Sequence, residues 1–368
     1  MQIISLVIEN VGRGEAVMDI TFVKFLQQLI SNPALLVTTI LTLGVIFVNG
    51  WTDAPNSIAT CVATRSLSPR KAIAIAAVFD FLGILVMTSV NSTVAQTIYK
   101  MVDFKGNPQH SLAALCAAMI AIVTWAVAAW KLGIPTSEGH AMIAGITGAA
   151  IALQGGFQGI NPDEWIKVVY GLLLSVTMGV ALGFIITRTT EYLFRYSERR
   201  KATAVFQRAQ IAASAGMAFM HGAQDGQKFM GVFMLGIFLA NGVYGTAEFR
   251  IPLWLMVLCS AVMTSGTMIG GYRIIKTIGM KMVKLETYQG FAADAAAGLS
   301  LLLASLLGFP VSTTHTKSSA IIGVGISRKL STVNWELVAD LVLTWVFTFP
   351  GCGLLGYIMA QLFIKLFG

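Results

Sequence analysis

Long apolar runs alternate along this chain with short segments that contain most of the charged residues. A helix needs about 20 apolar residues to cross the hydrocarbon core of a bilayer, and several runs reach this length. The pattern therefore predicts an all-α polytopic membrane protein with about five membrane segments in each half. The predicted segments are 33–63, 71–90, 110–130, 133–155 and 165–187, followed by 206–240, 252–272, 290–308, 310–327 and 334–366.

The composition agrees with this pattern, since 56% of the residues are hydrophobic and 11% are charged. The formal net charge of +8 could indicate nucleic-acid binding. However, the basic residues lie in short loops between apolar segments, as the positive-inside rule describes. The charge therefore indicates membrane topology, and no nucleic-acid partner is expected. The four cysteines are scattered singly, without the spacing of a metal site or a disulfide framework.

Loop charges also predict the topology of the two halves. Most of the 25 Lys and Arg residues fall on one side of the membrane under this assignment. That side is predicted to be cytoplasmic, with both termini extracytoplasmic. Because five is odd, the second half enters from the opposite face, which predicts two inverted-topology repeats. The predicted units are an N-terminal segment 1–30, with an interfacial helix as one interpretation, a first repeat 31–187, a basic cytoplasmic linker 188–208 and a second repeat 209–368.

An aspartate motif occurs twice, at 49–56 with Asp53 and at 221–228 with Asp225. A charge at membrane depth costs about 3 kcal/mol on insertion scales, so it usually faces a cavity or a partner. Gly and Pro beside Asp53 predict an interrupted helix, whose free carbonyls and carboxylate would suit Na⁺. A protonatable aspartate would serve H⁺ coupling equally well. The alternative is a structural aspartate at a helix kink.

A Pro-x-Ser motif is also duplicated, at 133–140 with Ser137 and at 308–315 with Ser312. Proline is favoured in the first helical turn, and a capping Ser places its hydroxyl beside free backbone N–H groups. Such a helix start is a ready anion site. Thr136 with Ser137, and Ser312 with Thr313, are therefore predicted to hold a tetrahedral oxyanion from two sides, on broken or re-entrant helices. The alternative is an ordinary membrane-helix start capped by serine.

Three further residues accompany these motifs. His140 and His315 follow the two serines by three positions, which places them near the same site. They are predicted to support it, either by binding the ligand or by orienting the capping hydroxyls. Lys228 could pair with Asp225 or offer its charge to an anion. Other acidic residues inside apolar segments rank below the motif aspartates, namely Asp80, Asp294 and Asp340.

Taken in order, the four motifs resemble those of the inorganic phosphate transporter (PiT) family, in its bacterial branch. That family carries a duplicated Gly-Ala-Asn-Asp signature and a duplicated Gly-x-Pro-x-Ser-x-x-His segment. The resemblance implies symport of phosphate with Na⁺ or H⁺ and no cofactor. By motif match it implies cation-site and neighbouring polar groups at Asp53, Asn56 and Asp225, and phosphate contacts at Thr136, Ser137, Ser312 and Thr313.

The chain departs from the family signature at three positions. The signature Asn is Thr52 in the first half and Gln224 in the second, and Trp51 replaces the small Ala. Thr52 and Gln224 still offer oxygen, so both are kept as predicted cation ligands. Lys228 stands where animal-type members have Asn, and Lys228 and Asn56 are expected to face phosphate. A fixed ammonium at Lys228 could replace one coupling cation.

The sequence therefore predicts a phosphate symporter, not an enzyme, that works by alternating access in the cell (inner) membrane. A sulfate symporter is the alternative within the same class, because sulfate is also tetrahedral. A passive anion channel is the alternative from a different class, although a purely anion-conducting pore gains nothing from paired carboxylates. The oligomeric state is left open, with a homodimer as one option.

Overall fold

A computed structural model describes residues 20–134, 136–243, 249–270 and 272–367 of the chain. These residues are helical apart from short connections and isolated β-bridges. The helices are α1 Phe22–Ser31, α2 Pro33–Thr52, α3 Pro55–Ala63, α4 Pro69–Val90, α5 Thr93–Met101, α6 Pro108–Leu132, α7 Glu138–Gln154, α8 Pro162–Phe194, α9 Arg199–Ala240, α10 Leu253–Ile269, α11 Tyr272–Lys276, α12 Thr287–Leu306, α13 Thr313–Arg328 and α14 Trp335–Phe367.

Six helical stretches are long and apolar enough to cross a membrane, which confirms the prediction of an all-α polytopic membrane protein. Their outer faces carry large exposed apolar side chains, such as Ile185 on α8 and Val346 on α14. In water such contiguous apolar surface would be unfavourable, whereas lipid solvates it. The bilayer is therefore the natural solvent of these faces.

Asparagine followed by proline begins several of these helices. Asn32, Asn107 and Asn161 each precede a proline at the first helical position, and each side chain accepts a backbone N–H. Asn is among the best N-cap residues, and Pro at the next position needs no backbone hydrogen bond there. These three helix starts are therefore encoded locally in the sequence.

The two aspartate motifs differ in backbone structure. In the first copy α2 ends at Thr52 and α3 begins at Pro55, so Asp53 lies at a break in the helix. The second copy lies within the uninterrupted helix α9. The position of Pro55 is Gln227 in the second copy, which retains its N–H. The helical interruption expected beside a motif aspartate therefore occurs only in the first copy.

Most of the predicted basic linker 188–208 is helical. Helix α8 continues to Phe194 and α9 begins at Arg199, so only residues 195–198 separate them. A helix can extend from the hydrocarbon into water where polar residues continue it. Polar residues continue α8 at the start of the predicted linker 188–208, and they begin α9 at its end. The N-terminal segment 1–30 is described only from residue 20 onward. There α1 buries Phe25 against Trp254, with ring centroids 4.8 Å apart.

Helices of the two halves make reciprocal contacts. Helix α2 packs on α6 and α10, while its counterpart α9 packs on α12 and α4. Helix α7 packs on α6 and α14, while α13 packs on α12 and α8. A short 3₁₀ turn and a β-bridge also recur, with Val102 bridging Ile160 and Val283 bridging Val333. The two halves of the sequence therefore interleave in space, since α8 packs on α13 and α14 on α7.

Candidate functional site

The two aspartates meet at a single threonine. Asp53 lies at the break between α2 and α3, Asp225 lies in the middle of α9, and both are 1% exposed. Thr313, the first residue of α13, has its hydroxyl 3.4 Å from Asp53 Oδ2 and 3.2 Å from Asp225 Oδ2. Both aspartate motifs and the second Pro-x-Ser motif therefore contribute to one buried site.

Asp53 is linked to both Pro-x-Ser motifs. Its Oδ1 accepts hydrogen bonds from Asn56 Nδ2 and from Thr314 Oγ1, each at 2.5 Å. Thr314 Oγ1 also lies 3.2 Å from the carbonyl oxygen of Thr136. Asn56 Nδ2 lies 3.0 Å from Thr314 Oγ1 as well. The structure therefore joins the predicted residues Asp53, Asn56 and Thr136 through Thr314, a residue of α13 that was not predicted.

Asp225 forms a buried ion pair with Lys228, whose Nζ lies 2.6 Å from Asp225 Oδ1. The same ammonium donates to the Val311 carbonyl at 2.5 Å. It also lies against the first turn of α7, because a Cβ placed on Gly139 would lie 2.9 Å from it. Lys228 therefore neutralises Asp225 and faces both Pro-x-Ser motifs, so the two roles considered for it are compatible.

Both motif serines cap helices. Ser137 Oγ accepts the His140 backbone N–H at 3.2 Å, and Ser312 Oγ accepts the His315 backbone N–H at 3.1 Å. The hydroxyls thus accept hydrogen bonds from backbone groups, and no hydrogen bond between them and the imidazole rings is found among the described residues. The ring nitrogens have no hydrogen-bond partner among the described residues. Pro135 of the first motif lies outside the described residues.

The hydroxyl of Thr52 and the amide nitrogen of Gln224 hydrogen-bond to groups other than the aspartates. Thr52 Oγ1 donates to the Val48 carbonyl at 2.7 Å. Gln224 Nε2 donates to Ser305 Oγ at 2.9 Å. Each residue precedes its aspartate by one position, which turns its side chain about 100° around a helix from the aspartate. The amide oxygen of Gln224, the atom predicted to bind a cation, has no hydrogen-bond partner among the described residues.

Two residues that were not predicted as ligands contact Asp225. Asn49 Nδ2 lies 3.4 Å from Asp225 Oδ2, and His221 Nε2 lies at the same distance from that oxygen. On its other side His221 Nδ1 lies 3.0 Å from Asp80. The sequence signal for Asn49 and His221 is that they occupy matched positions at the start of the two aspartate motifs.

Glu138 is a further unpredicted residue at the site. It follows Ser137 directly, is 3% exposed and lies beside Asn49. Its Oε2 has no hydrogen-bond partner among the described residues. A third carboxyl group therefore lies at the start of α7. Its sequence signals were an acid inside an apolar stretch and a position within the first Pro-x-Ser motif.

This arrangement can hold a cation and an anion together. One atom each of Asp53, His221 and Asp225 lies within 4.8 Å of the others. Carboxylate and hydroxyl oxygens suit hard cations, and the carboxylates could equally take up protons. The capped starts of α7 and α13 present backbone N–H groups and partial positive charge, which suit an oxyanion.

Comparison with known proteins identifies a family that the chain matches and relatives of similar sequence and fold. Residues 49–356 match the model of the phosphate transporter family. A protein of Bacillus subtilis (strain 168) named "probable low-affinity inorganic phosphate transporter" is 38% identical over 312 residues, covering 85% of this chain and 92% of the relative. A protein of the same name from Rhizobium meliloti (strain 1021) is 37% identical over 311 residues, covering 84% of this chain and 90% of the relative.

A solved structure, named "The sodium-dependent phosphate transporter", superposes with a TM-score of 0.82 at 25% sequence identity. The similarity covers 91% of this chain and 99% of that one. The helical arrangement of this chain is therefore similar to that of a solved transporter over nearly its whole length.

Proposed function

This chain belongs to the phosphate transporter family, and we propose that it is a secondary active symporter that moves inorganic phosphate with Na⁺ or H⁺ by alternating access. The prediction that the chain is a transporter and not an enzyme is confirmed by the family and its named relatives. Phosphate as the substrate class follows from the same relatives. The coupling ion, the site roles and the transport cycle are proposals.

The contact of Thr313 with both Asp53 and Asp225 carries the proposal. Thr313 begins a helix capped by Ser312, so one residue borders the carboxylates and a helix N-terminus at once. A cation or proton on Asp53 or Asp225 would remove negative charge from the place where an oxyanion must bind. Cation binding would then favour phosphate binding, which is the thermodynamic requirement of symport.

The proposed phosphate contacts come from the helix starts and from groups beside them. Thr136, Ser137, Ser312 and Thr313 supply hydroxyls and backbone N–H groups, and Lys228 supplies charge. Asn56 is hydrogen-bonded to Asp53, so it would connect the phosphate and cation positions. Asp53 and Asp225 are the proposed cation ligands. Thr52 and Gln224 are proposed as additional oxygen ligands, since the oxygens of both side chains keep lone pairs while Thr52 Oγ1 donates to Val48 and Gln224 Nε2 donates to Ser305.

Alternating access is supported by the burial of these residues. Four residues of the site are at most 2% exposed, namely Asp53, Asp225, Ser137 and Ser312. A ligand can therefore pass between the site and either face of the membrane only if helices move. The reciprocal packing supports two repeats related by an internal two-fold axis, as in inverted-repeat transporters. Since the halves interleave, the moving groups would each combine helices of both halves. One would contain α7 with α14 and the other α13 with α8.

Glu138 favours phosphate over sulfate. Phosphate at neutral pH carries a hydroxyl that can donate a hydrogen bond, whereas sulfate carries none. The buried Oε2 of Glu138, at the start of α7, is an acceptor without a partner among the described residues. An ionised Glu138 would accept a hydrogen bond from the phosphate hydroxyl, and sulfate could not donate such a bond.

Na⁺ is supported as the coupling ion by the similarity to the solved sodium-dependent transporter and by the oxygen-rich surroundings of Asp53 and Asp225. H⁺ remains the alternative, since the same carboxylates can be protonated. The cell (inner) membrane, extracytoplasmic termini, the interfacial helix within 1–30 and the homodimer remain predictions.

Uptake of labelled phosphate into proteoliposomes tests the proposal. With Na⁺ or pH gradients imposed separately, and choline replacing Na⁺ at two pH values, uphill accumulation should follow one gradient. Uptake that needs neither gradient and never exceeds equilibrium would indicate a passive anion channel. Excess unlabelled sulfate should compete poorly, and strong inhibition by sulfate would overturn the choice of phosphate.

A further inference from the structure

A second buried ion pair lies outside the site described above. Lys317 on α13 and Asp294 on α12 are both fully buried, and Lys317 Nζ contacts Asp294 Oδ1 directly. The same ammonium lies 3.1 Å from Thr60 Oγ1 and 3.4 Å from the Ser57 carbonyl oxygen. The other carboxylate oxygen of Asp294 accepts a hydrogen bond from Ser214 Oγ at 2.5 Å.

This pair is connected to the central site through two helices. Helices α3 and α13 both begin near the central site, where Asn56 meets Thr314 at 3.0 Å. About one turn further along each helix, Thr60 meets Lys317. The Asn56–Thr314 and Thr60–Lys317 contacts are thus successive contacts between the same two helices. Helix α3 belongs to the first half of the chain and α13 to the second.

The surroundings of the Lys317 ammonium have the chemistry of a monovalent-cation site. A carboxylate, a hydroxyl and a backbone carbonyl surround it, and all three offer oxygen. These are the ligand types that hard cations take in proteins. An ammonium group and Na⁺ carry the same charge, so one can stand in the place of the other in such a set of oxygens.

The first half of the chain has no equivalent of this ion pair. Lys317 lies five residues after Ser312, and the residue five positions after Ser137 is Met142. Asp294 lies 18 residues before Ser312, and the residue 18 positions before Ser137 is Met119. Both methionines are buried among apolar side chains. Buried ion pairs contribute little net stability compared with apolar residues of similar size. A role other than packing is therefore indicated.

We propose that the Lys317 ammonium is a resident cation that occupies a second, oxygen-lined cation site formed by Asp294, Thr60 and the Ser57 carbonyl. The tethered charge takes the place of a mobile ion and so lowers by one the number of cations that accompany phosphate. This inference rests on the proposed cation-coupled transport.

The test is binding of ²²Na⁺ to purified protein, with choline as the replacement cation. The Lys317→Met variant should bind one more Na⁺ per chain than the wild type, and the added site should disappear in the double variant Lys317→Met/Asp294→Asn. Thr60→Val in the Lys317→Met background should weaken the added site. A folded Lys317→Met variant that binds no more Na⁺ than the wild type would overturn the proposal.

The result stays decisive if Lys317→Met is unstable. A variant that unfolds in choline but recovers its thermal transition in Na⁺ supports the site, because a ligand that binds only the folded state stabilises it. Failure to fold in both media shows a purely structural lysine and overturns the proposal. Wild-type phosphate uptake is measured in parallel. Uncoupled uptake there would overturn the proposed function, whereas the Na⁺ binding of the variants would still report on Lys317.

Discussion

The imidazole rings of His140 and His315 lie edge to face, with centroids 4.6 Å apart. The two residues hold matched positions in the two Pro-x-Ser motifs, each three residues after the capping serine. The motifs therefore meet each other directly. Because the two Pro-x-Ser motifs touch at equivalent positions, they form two sides of one site and not two separate sites.

This contact predicts a packing role for the two histidines. His140 also packs on Phe349 and His315 on Trp345, with centroids 5.0 Å and 4.0 Å apart. Phenylalanine preserves aromatic packing of this kind. We therefore expect His315→Phe to retain phosphate uptake within about threefold, an energy change below about 1 kcal/mol, whereas His315→Ala should lower thermal stability. Loss of uptake beyond tenfold in the Phe variant, with normal stability, would show that a ring nitrogen contacts the ligand.

Asp53→Asn should abolish gradient-driven phosphate accumulation while leaving the protein folded. The amide keeps the shape of the side chain and removes the charge that a cation or proton would neutralise. The matched control is Asp340→Asn, because Asp340 also lies in an apolar segment but is exposed on α14. Proteoliposome uptake and thermal unfolding in detergent measure both effects. Wild-type accumulation by Asp53→Asn would refute its assignment to the cation site.

Thr313→Val should weaken coupling more than it weakens folding. Valine keeps the size of the side chain but removes the hydroxyl that lies near both aspartates, so the carboxylates lose a shared hydrogen-bond donor. A higher half-saturating cation concentration for uptake is expected, by about tenfold for a loss of about 1.4 kcal/mol.

The control for Thr313→Val is Thr187→Val on α8, where a buried hydroxyl donates to the Gly183 carbonyl of its own helix at 2.7 Å. This variant should leave the cation dependence unchanged. Equal shifts in the two variants would argue against a specific role for Thr313.

Gly222→Ala should destabilise the protein, because a Cβ at this position would lie 2.3 Å from the carbonyl oxygen of Asp80 on α4. Overpacking of this kind costs about 1–3 kcal/mol. The matched control is Gly216→Ala on the same helix, where no atom lies within 4 Å of the added Cβ. That change should be neutral or stabilising by up to about 1 kcal/mol, through helix propensity. Thermal unfolding of the two variants compares them directly, and equal stability would contradict the close packing of α4 on α9.

Local features of the chain were predictable because they depend on neighbours in sequence. The apolar segments, the capping serines Ser137 and Ser312, and the break at Pro55 follow from hydropathy, helix capping and the missing proline N–H. Duplication of the motifs also indicated that Asp53 and Asp225 act together. These parts required no knowledge of which helices touch.

Tertiary structure alone decided which polar groups share a site. Thr52 and Gln224 were predicted as ligands because they adjoin the aspartates, whereas the groups to which they donate, the Val48 carbonyl and Ser305 Oγ, are visible only in the structure. The contact of Glu138 with Asn49, that of His221 with Asp80 and the Lys317–Asp294 pair were not predicted because the partners lie on different helices. The sequence by itself determined the membrane class, the helix starts and the two pairs of motifs. The packing of interleaved halves decided the partners of each charge, since burial leaves a charged group no alternative to the neighbours that the fold provides.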